Sequence, residues 1–152
     1  MFTQDFAVDF SGLSPGQINL LEKQGGLTPQ KQANIRYYTL PDICILRVFY
    51  ILKRQGLPCL AAKNAFACLQ AIVAETPLSA YVLLHNQKEV VAVINGADVF
   101  KPAAQWGPLL QAGGVQLLAV GTELEETKTR VNSYIKKIKA PATALRAVTP
   151  LA

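Results

Sequence analysis

Apolar positions recur at helical spacing from the first residues of the chain. Phe2, Phe6 and Phe10 stand four apart with Val8 between them, which predicts a short helix closed by Ser11-Gly12. Ser14-Pro15 opens a second helix: the serine hydroxyl accepts from a free first-turn amide, and proline presets φ at the first helical position. Along it Ile18, Leu20 and Leu21 form an apolar face and Gln17, Asn19 and Lys23 a polar one, as far as Gly25-Gly26. The period then shortens. Gln30, Lys31, Gln32, Ala33 and Asn34 precede the extended Ile35-Arg36-Tyr37-Tyr38-Thr39, so Thr28 to Thr39 reads as two short strands joined by a polar turn, a candidate wing. In a strand one of Tyr37 and Tyr38 must face inward. Thr39 or Pro41-Asp42 starts a third helix, with Ile43, Ile45, Leu46, Phe49, Ile51 and Leu52 at helical spacing up to Gly56. Pro58 starts a fourth, through Leu60, Phe66, Leu69 and Ile72 to about Glu75.

Composition and period both change at Thr76-Pro77, the expected domain boundary. Ala80 to His85 and Glu89 to Ile94 read as an antiparallel hairpin joined through Asn86-Gln87-Lys88, and Asn95-Gly96 closes its second strand. Ala97 to Gly114 offers only a short helix near Trp106 to Gln111, and Val115 to Val120 reads as a third strand. Thr122-x-x-Glu125 is a capping-box pattern for a last helix, acidic at Glu123, Glu125 and Glu126 and basic at Lys136, Lys137 and Lys139, as the helix dipole favours. Its stripe of Leu124, Val131 and Ile138, with Tyr134 and Ile135 beside it, is expected to pack on the small sheet or on a second subunit. The expected fold is α+β: a trihelical winged unit over 1–76, a small antiparallel sheet with one helix over 77–140, and a loosely held tail over 141–152.

A content of 51% hydrophobic residues in 152 is enough for a core and excludes disorder for the bulk of the chain. No apolar run approaches the roughly 18 residues of a membrane span, and Met1-Phe2-Thr3-Gln4-Asp5 lacks the features of a signal peptide, so a cytoplasmic protein with no membrane partner is expected. Cys44, Cys59 and Cys68 form no CxxC and read as small buried residues, with no disulfide framework or metal site. His85, the only histidine, falls at a hairpin end, where a solvated or strand-terminal role is expected and no partner for general-base work is evident. Gly25-Gly26 and Gly113-Gly114 lack the pattern of a phosphate cradle and read as turns. No catalytic residue, cofactor or metal is therefore expected. Charge is distributed unevenly: residues 22–63 hold seven bases against Glu22 and Asp42, which equals the net charge of +5 of the whole chain. A concentrated basic segment among short helices is the footprint of a nucleic-acid binder.

The order helix, turn, helix, basic wing, helix, helix over residues 12–60 resembles the winged helix-turn-helix of MerR-type transcription regulators. Gly12-Leu13-Ser14 matches the family's glycine-valine-serine turn, and Gln17-Ile18-Asn19-Leu20-Leu21-Glu22 its threonine-isoleucine-arginine-tyrosine-tyrosine-glutamate helix; Gly25, Leu27 and Pro29 follow. Lys31, Arg36 and Tyr38 match the wing, and Asp42, Leu46, Phe49, Leu52 and Gly56 the helix after it. Two departures stand out. Asn19, Leu20 and Leu21 replace arginine and two tyrosines, and the long dimerisation helix gives way to a small sheet and a terminal helix. In size and layout the chain is similar to the compact MerR-type repressors that accompany type V-K CRISPR-associated transposons.

The resemblance implies a homodimeric regulator, most simply a repressor, that binds double-stranded DNA at an inverted repeat. Ser14, Gln17 and Asn19 would reach base edges, with Lys23 on the same polar face. Gln30, Lys31, Gln32, Asn34 and Arg36 would lie along the backbone or in a minor groove, Tyr37 or Tyr38 would donate to phosphate, and Arg47, Lys53 and Arg54 would add contacts where they face the duplex. Tyr81, Leu83, Val91, Val93, Val131 and Ile135 would supply the dimer surface. Two rival expectations are an adaptor whose trihelical unit binds protein, and a sensor whose loop 97–114 closes on a small molecule of unknown class.

Overall fold

The computed structural model describes residues 1–24, 27–58, 61–74, 81–86, 88–95 and 116–139. Strand β1 (Phe2–Thr3) runs into helix α1 (Gln4–Ser11), followed by α2 (Pro15–Lys23), the strands β2 (Gln30–Gln32) and β3 (Ile35–Tyr38), α3 (Leu40–Arg54) and α4 (Ala62–Ile72). Then come β4 (Tyr81–His85), β5 (Val90–Asn95), β6 (Gln116–Leu118) and α5 (Val120–Lys139). Among the described residues the fold is thus mixed α/β, with five helices and two three-stranded antiparallel sheets ordered β1-β3-β2 and β5-β4-β6.

Local chemistry accounts for most boundaries. Thr3 caps α1, and Gly12 ends it in the left-handed region at φ 85°, donating its N–H to Val8 O. A Cβ there would stand 3.2 Å from Arg47 Nη1 and 3.3 Å from the Tyr50 ring, so the turn requires glycine both for its backbone and for its space. Ser14 and Gln17 form a capping box at α2, as Thr39 and Asp42 do at α3. The β2–β3 turn places Ala33 and Asn34 at φ 51° and 66°, the backbone of a type I′ hairpin turn.

Three boundaries differ from the sequence pattern. The pairing of Phe2 with Tyr38 makes Phe2 a strand residue, so the first helix starts only at Gln4. Pro58 O accepts from Ala61 N at 3.0 Å, and α4 begins only at Ala62. The last helix begins at Val120, with Ala119 O accepting from Glu123 N at 3.2 Å; Thr122 therefore lies inside the first turn and no capping box forms there. The whole of the loop 97–114, the junction 76–77, the pair Gly25-Gly26, the tail 141–152 and Cys59 lie outside the described residues.

Ile18, Leu21, Leu27, Tyr38, Ile43, Leu46, Phe49 and Leu52 are buried in one cluster with Leu83, Val90, Leu118, Val120, Leu124 and Val131. Residues on both sides of the expected boundary at 76 therefore share a core. The reason is α5, which lies along α3 more extensively than along β4. Its Tyr134 ring also meets Phe6 at 5.6 Å and Phe10 at 5.3 Å, closing a ladder in which Phe2, Phe6 and Phe10 stack at 4.4 and 4.5 Å. The stripe expected to cover the sheet or a second subunit is used mainly within the chain.

Candidate nucleic-acid interface

The N-terminal unit folds as α1, a three-residue turn, α2 and the β2–β3 hairpin, and its bases begin only at Lys23. Leu13 is buried beneath the turn, and Ile18 and Leu21 fasten α2 to the core. Helical spacing then puts Gly16, Leu20 and Lys23 on the opposite face, all three exposed, with Asn19 half-buried at its side. Leu20 keeps 39% of its surface, one of few large apolar side chains to do so.

The polar groups at the start of α2 are partly committed to the protein. Ser14 Oγ accepts from Gln17 N at 3.1 Å, and Gln17 Oε1 accepts from Ser14 N at 2.9 Å. Asn19 Oδ1 accepts from Gln4 Nε2 at 3.0 Å. In Gln17 and Asn19 the oxygen is engaged while the amide nitrogen is left as a donor. Such donors suit the acceptors N7 and O6 of guanine or O4 of thymine better than the donor–acceptor pair of adenine that the residue types alone suggest.

In the hairpin Lys31 stands opposite Arg36, Gln32 opposite Ile35, and Gln30 opposite Tyr37. Directly opposed residues share a face, so Lys31 and Arg36 lie together on the side that β3 also gives to Tyr38, while Gln30, Gln32, Ile35 and Tyr37 take the other. Glu22, on α2, meets both cations: Oε1 is 3.4 Å from Lys31 Nζ, and Oε2 is 2.9 Å from Arg36 Nε. The shorter contact is an ion pair without hydrogen-bond alignment, since neither Glu22 Oε2 nor Arg36 Nε has a hydrogen-bond partner. Beneath it Tyr38 is wholly buried with its hydroxyl unpaired, and burial, reinforced by the Glu22 charge, raises its phenol above the usual value of 10.

The expected DNA-binding residues therefore divide. Ser14, Lys23, Gln30, Lys31, Gln32 and Asn34 are exposed, and Gln17, Asn19, Arg36 and Tyr37 are half-buried on the same unit. Tyr38 is corrected: it is the inward tyrosine of the pair, and its sealed hydroxyl reaches no phosphate. Arg47 is committed to the turn, donating from Nη1 to Ser11 O at 3.3 Å with its guanidinium 4.8 Å from the Tyr50 ring centre. Arg54 donates to Tyr50 Oη at 3.0 Å. Sequence reading missed Glu22 as a site residue; the available signal was an acid at the end of the polar face in a segment otherwise basic.

In the C-terminal half, Leu83 and Val131 are sealed in the core of the chain itself and present no surface to a second copy. Tyr81, Val91, Val93 and Ile135 are half-buried. His85 ends β4, as a strand-terminal role implies, but it is not solvated: its side chain is fully buried, with Nε2 2.8 Å from Gln55 Oε1. Burial holds its imidazole below the usual 6.5. Cys44 is buried and its thiol is pushed up to about 11, against the partly offsetting charge of Lys128. Such a thiol stays protonated at neutral pH and lacks the thiolate that metal or oxidant sensing uses.

Among the described residues no three His, Cys, Asp or Glu side chains gather as a metal site, and no helix is long and apolar enough to cross a membrane. No protein-family model matches the chain, and neither curated proteins nor solved structures contain a significant match to it.

Proposed function

We propose that this chain is a sequence-specific double-stranded DNA-binding transcriptional regulator of MerR type, acting as a homodimeric repressor at an inverted repeat. The observation that supports the reading is the tie between two elements: α2, and a two-residue-turn hairpin whose Lys31 and Arg36 both meet Glu22 of that helix. A helix after a short glycine turn fits the major groove, and a cationic hairpin beside it suits the adjoining phosphates. The dimer follows from the two-fold symmetry of such operators; of the half-buried Tyr81, Val91 and Val93 expected at its surface, Tyr81 and Val93 also pack against the chain's own core. Repression follows from the similarity in size and layout to compact repressors.

The test is selection of bound duplexes from random DNA, followed by titration of the selected site at several salt concentrations. The expected product is a palindrome, with affinity falling steeply as salt rises. Replacing Lys31 and Arg36 together by alanine should weaken binding about tenfold or more and flatten the salt slope by about one to two, while the chain stays folded. Duplex affinity unmoved by that double substitution overturns the reading.

A further inference from the structure

Resting on the DNA-binding reading, we propose that Glu22 is a specificity-setting residue, an anionic tether that withholds the two hairpin cations from indiscriminate phosphate binding and orients them for one duplex geometry. The sequence alone presents Lys31 and Arg36 as free positive charges. In the fold they share one carboxylate, carried by the same helix that offers its outer face to bases, so the hairpin's charge is tied to the position of the reading element.

The two contacts are unequal in a way that assigns different roles. Glu22 keeps 20% of its side-chain surface, Arg36 36% and Lys31 57%. Arg36 approaches the carboxylate through Nε at 2.9 Å, a charge contact without hydrogen-bond alignment, and among the described residues no hydrogen bond from its two terminal nitrogens occurs. With its terminal nitrogens uncommitted and its charge held beside Glu22, Arg36 can bind a phosphate through those nitrogens without leaving the carboxylate. Lys31 has a single ammonium, 3.4 Å from the other carboxylate oxygen and more exposed, and a phosphate must compete with Glu22 for it. Two cations and one anion leave one net positive charge. Generic attraction, which grows with the number of neutralised phosphates, is thereby reduced on every sequence, while a site whose backbone meets Arg36 as oriented loses less.

Glu22→Gln removes the charge and keeps the shape. Binding of the full chain to the selected duplex and to a random-sequence duplex is measured across a range of salt, beside Glu89→Gln, which removes an exposed acid from the β4–β5 connection. The expected result is random-duplex affinity raised about three- to tenfold with a salt slope steeper by about one, a smaller gain on the selected site, and so a lower specificity ratio. Glu89→Gln should change both duplexes alike and leave the ratio at its wild-type value. A Glu22→Gln ratio equal to wild type overturns the inference. So does equal weakening on both duplexes, or a thermal melt showing the variant unfolded at the assay temperature, since either makes Glu22 a structural fastener alone. If the Lys31 and Arg36 double variant binds both duplexes like wild type, the DNA-binding reading itself falls; if it binds weakly while Glu22→Gln matches wild type, only the tether falls.

Discussion

His85 shows how a single buried residue sets a solution property. Its ring is fully enclosed and hydrogen-bonded to Gln55, and burial keeps the folded-state pKa below the 6.5 that an unfolded chain retains. Below about pH 6.5 the unfolded chain takes up a proton that the native state refuses, so stability is complete above that pH and declines as pH falls towards the depressed folded value. Thermal melts should give a Tm that is flat above about pH 7 and begins to fall below about pH 6.5, above the range in which ordinary carboxylates titrate. In His85→Gln that component disappears, and the gap in Tm between wild type and variant narrows on acidification. A gap independent of pH over this window would show that the imidazole is not the titrating group.

At the scale of elements, the helix starts carry the organisation of the N-terminal unit. Ser14 and Thr39 each accept from the third residue of the following helix, at 3.1 and 3.2 Å, while Gln17 and Asp42 reach back to the capping residue's own N–H. Replacing either Ser14 or Thr39 by alanine should cost about 1 kcal/mol, a fall of roughly 2–4 °C in Tm for a chain of this size. Calorimetry checks it, and an unchanged Tm would mean that water replaces the cap at no cost. The same geometry narrows what α2 has left for the proposed recognition of DNA. With Ser14 Oγ and Gln17 Oε1 engaged in the cap, the outer stripe of Gly16, Leu20 and Lys23 and the amide nitrogens of Gln17 and Asn19 remain.

Across the whole molecule the governing contact is α5 against α3 and α1. Val120, Leu124 and Val131 are fully buried, and Tyr134 closes the phenylalanine ladder of α1. Without α5 the outer sides of α1 and α3 would expose that surface, and burying several large apolar side chains contributes about 1.5–3 kcal/mol each. A fragment of residues 1–76 should therefore melt well below the full chain or without cooperativity, by circular dichroism and amide exchange. A fragment melting at the full-length Tm would show the winged unit to be self-sufficient.

Much was legible in the chain because it is written in neighbouring residues. Ser14-Pro15, Thr39 with Asp42, Gly12 and the polar turn before Ile35 act through bonds spanning a few positions, and each produces its cap or turn wherever the segment is placed. Alternation likewise required one tyrosine of Tyr37-Tyr38 to point inward. What required the tertiary structure was every pairing across long separations: Glu22 with Lys31 and Arg36, Arg47 with Ser11, His85 with Gln55, and Tyr134 with Phe6 and Phe10. Periodicity says that a residue has a buried or an exposed side but not which partner lies there. Pairings such as these depend on how helices and strands are brought together, and they determine which charges remain available at the surface.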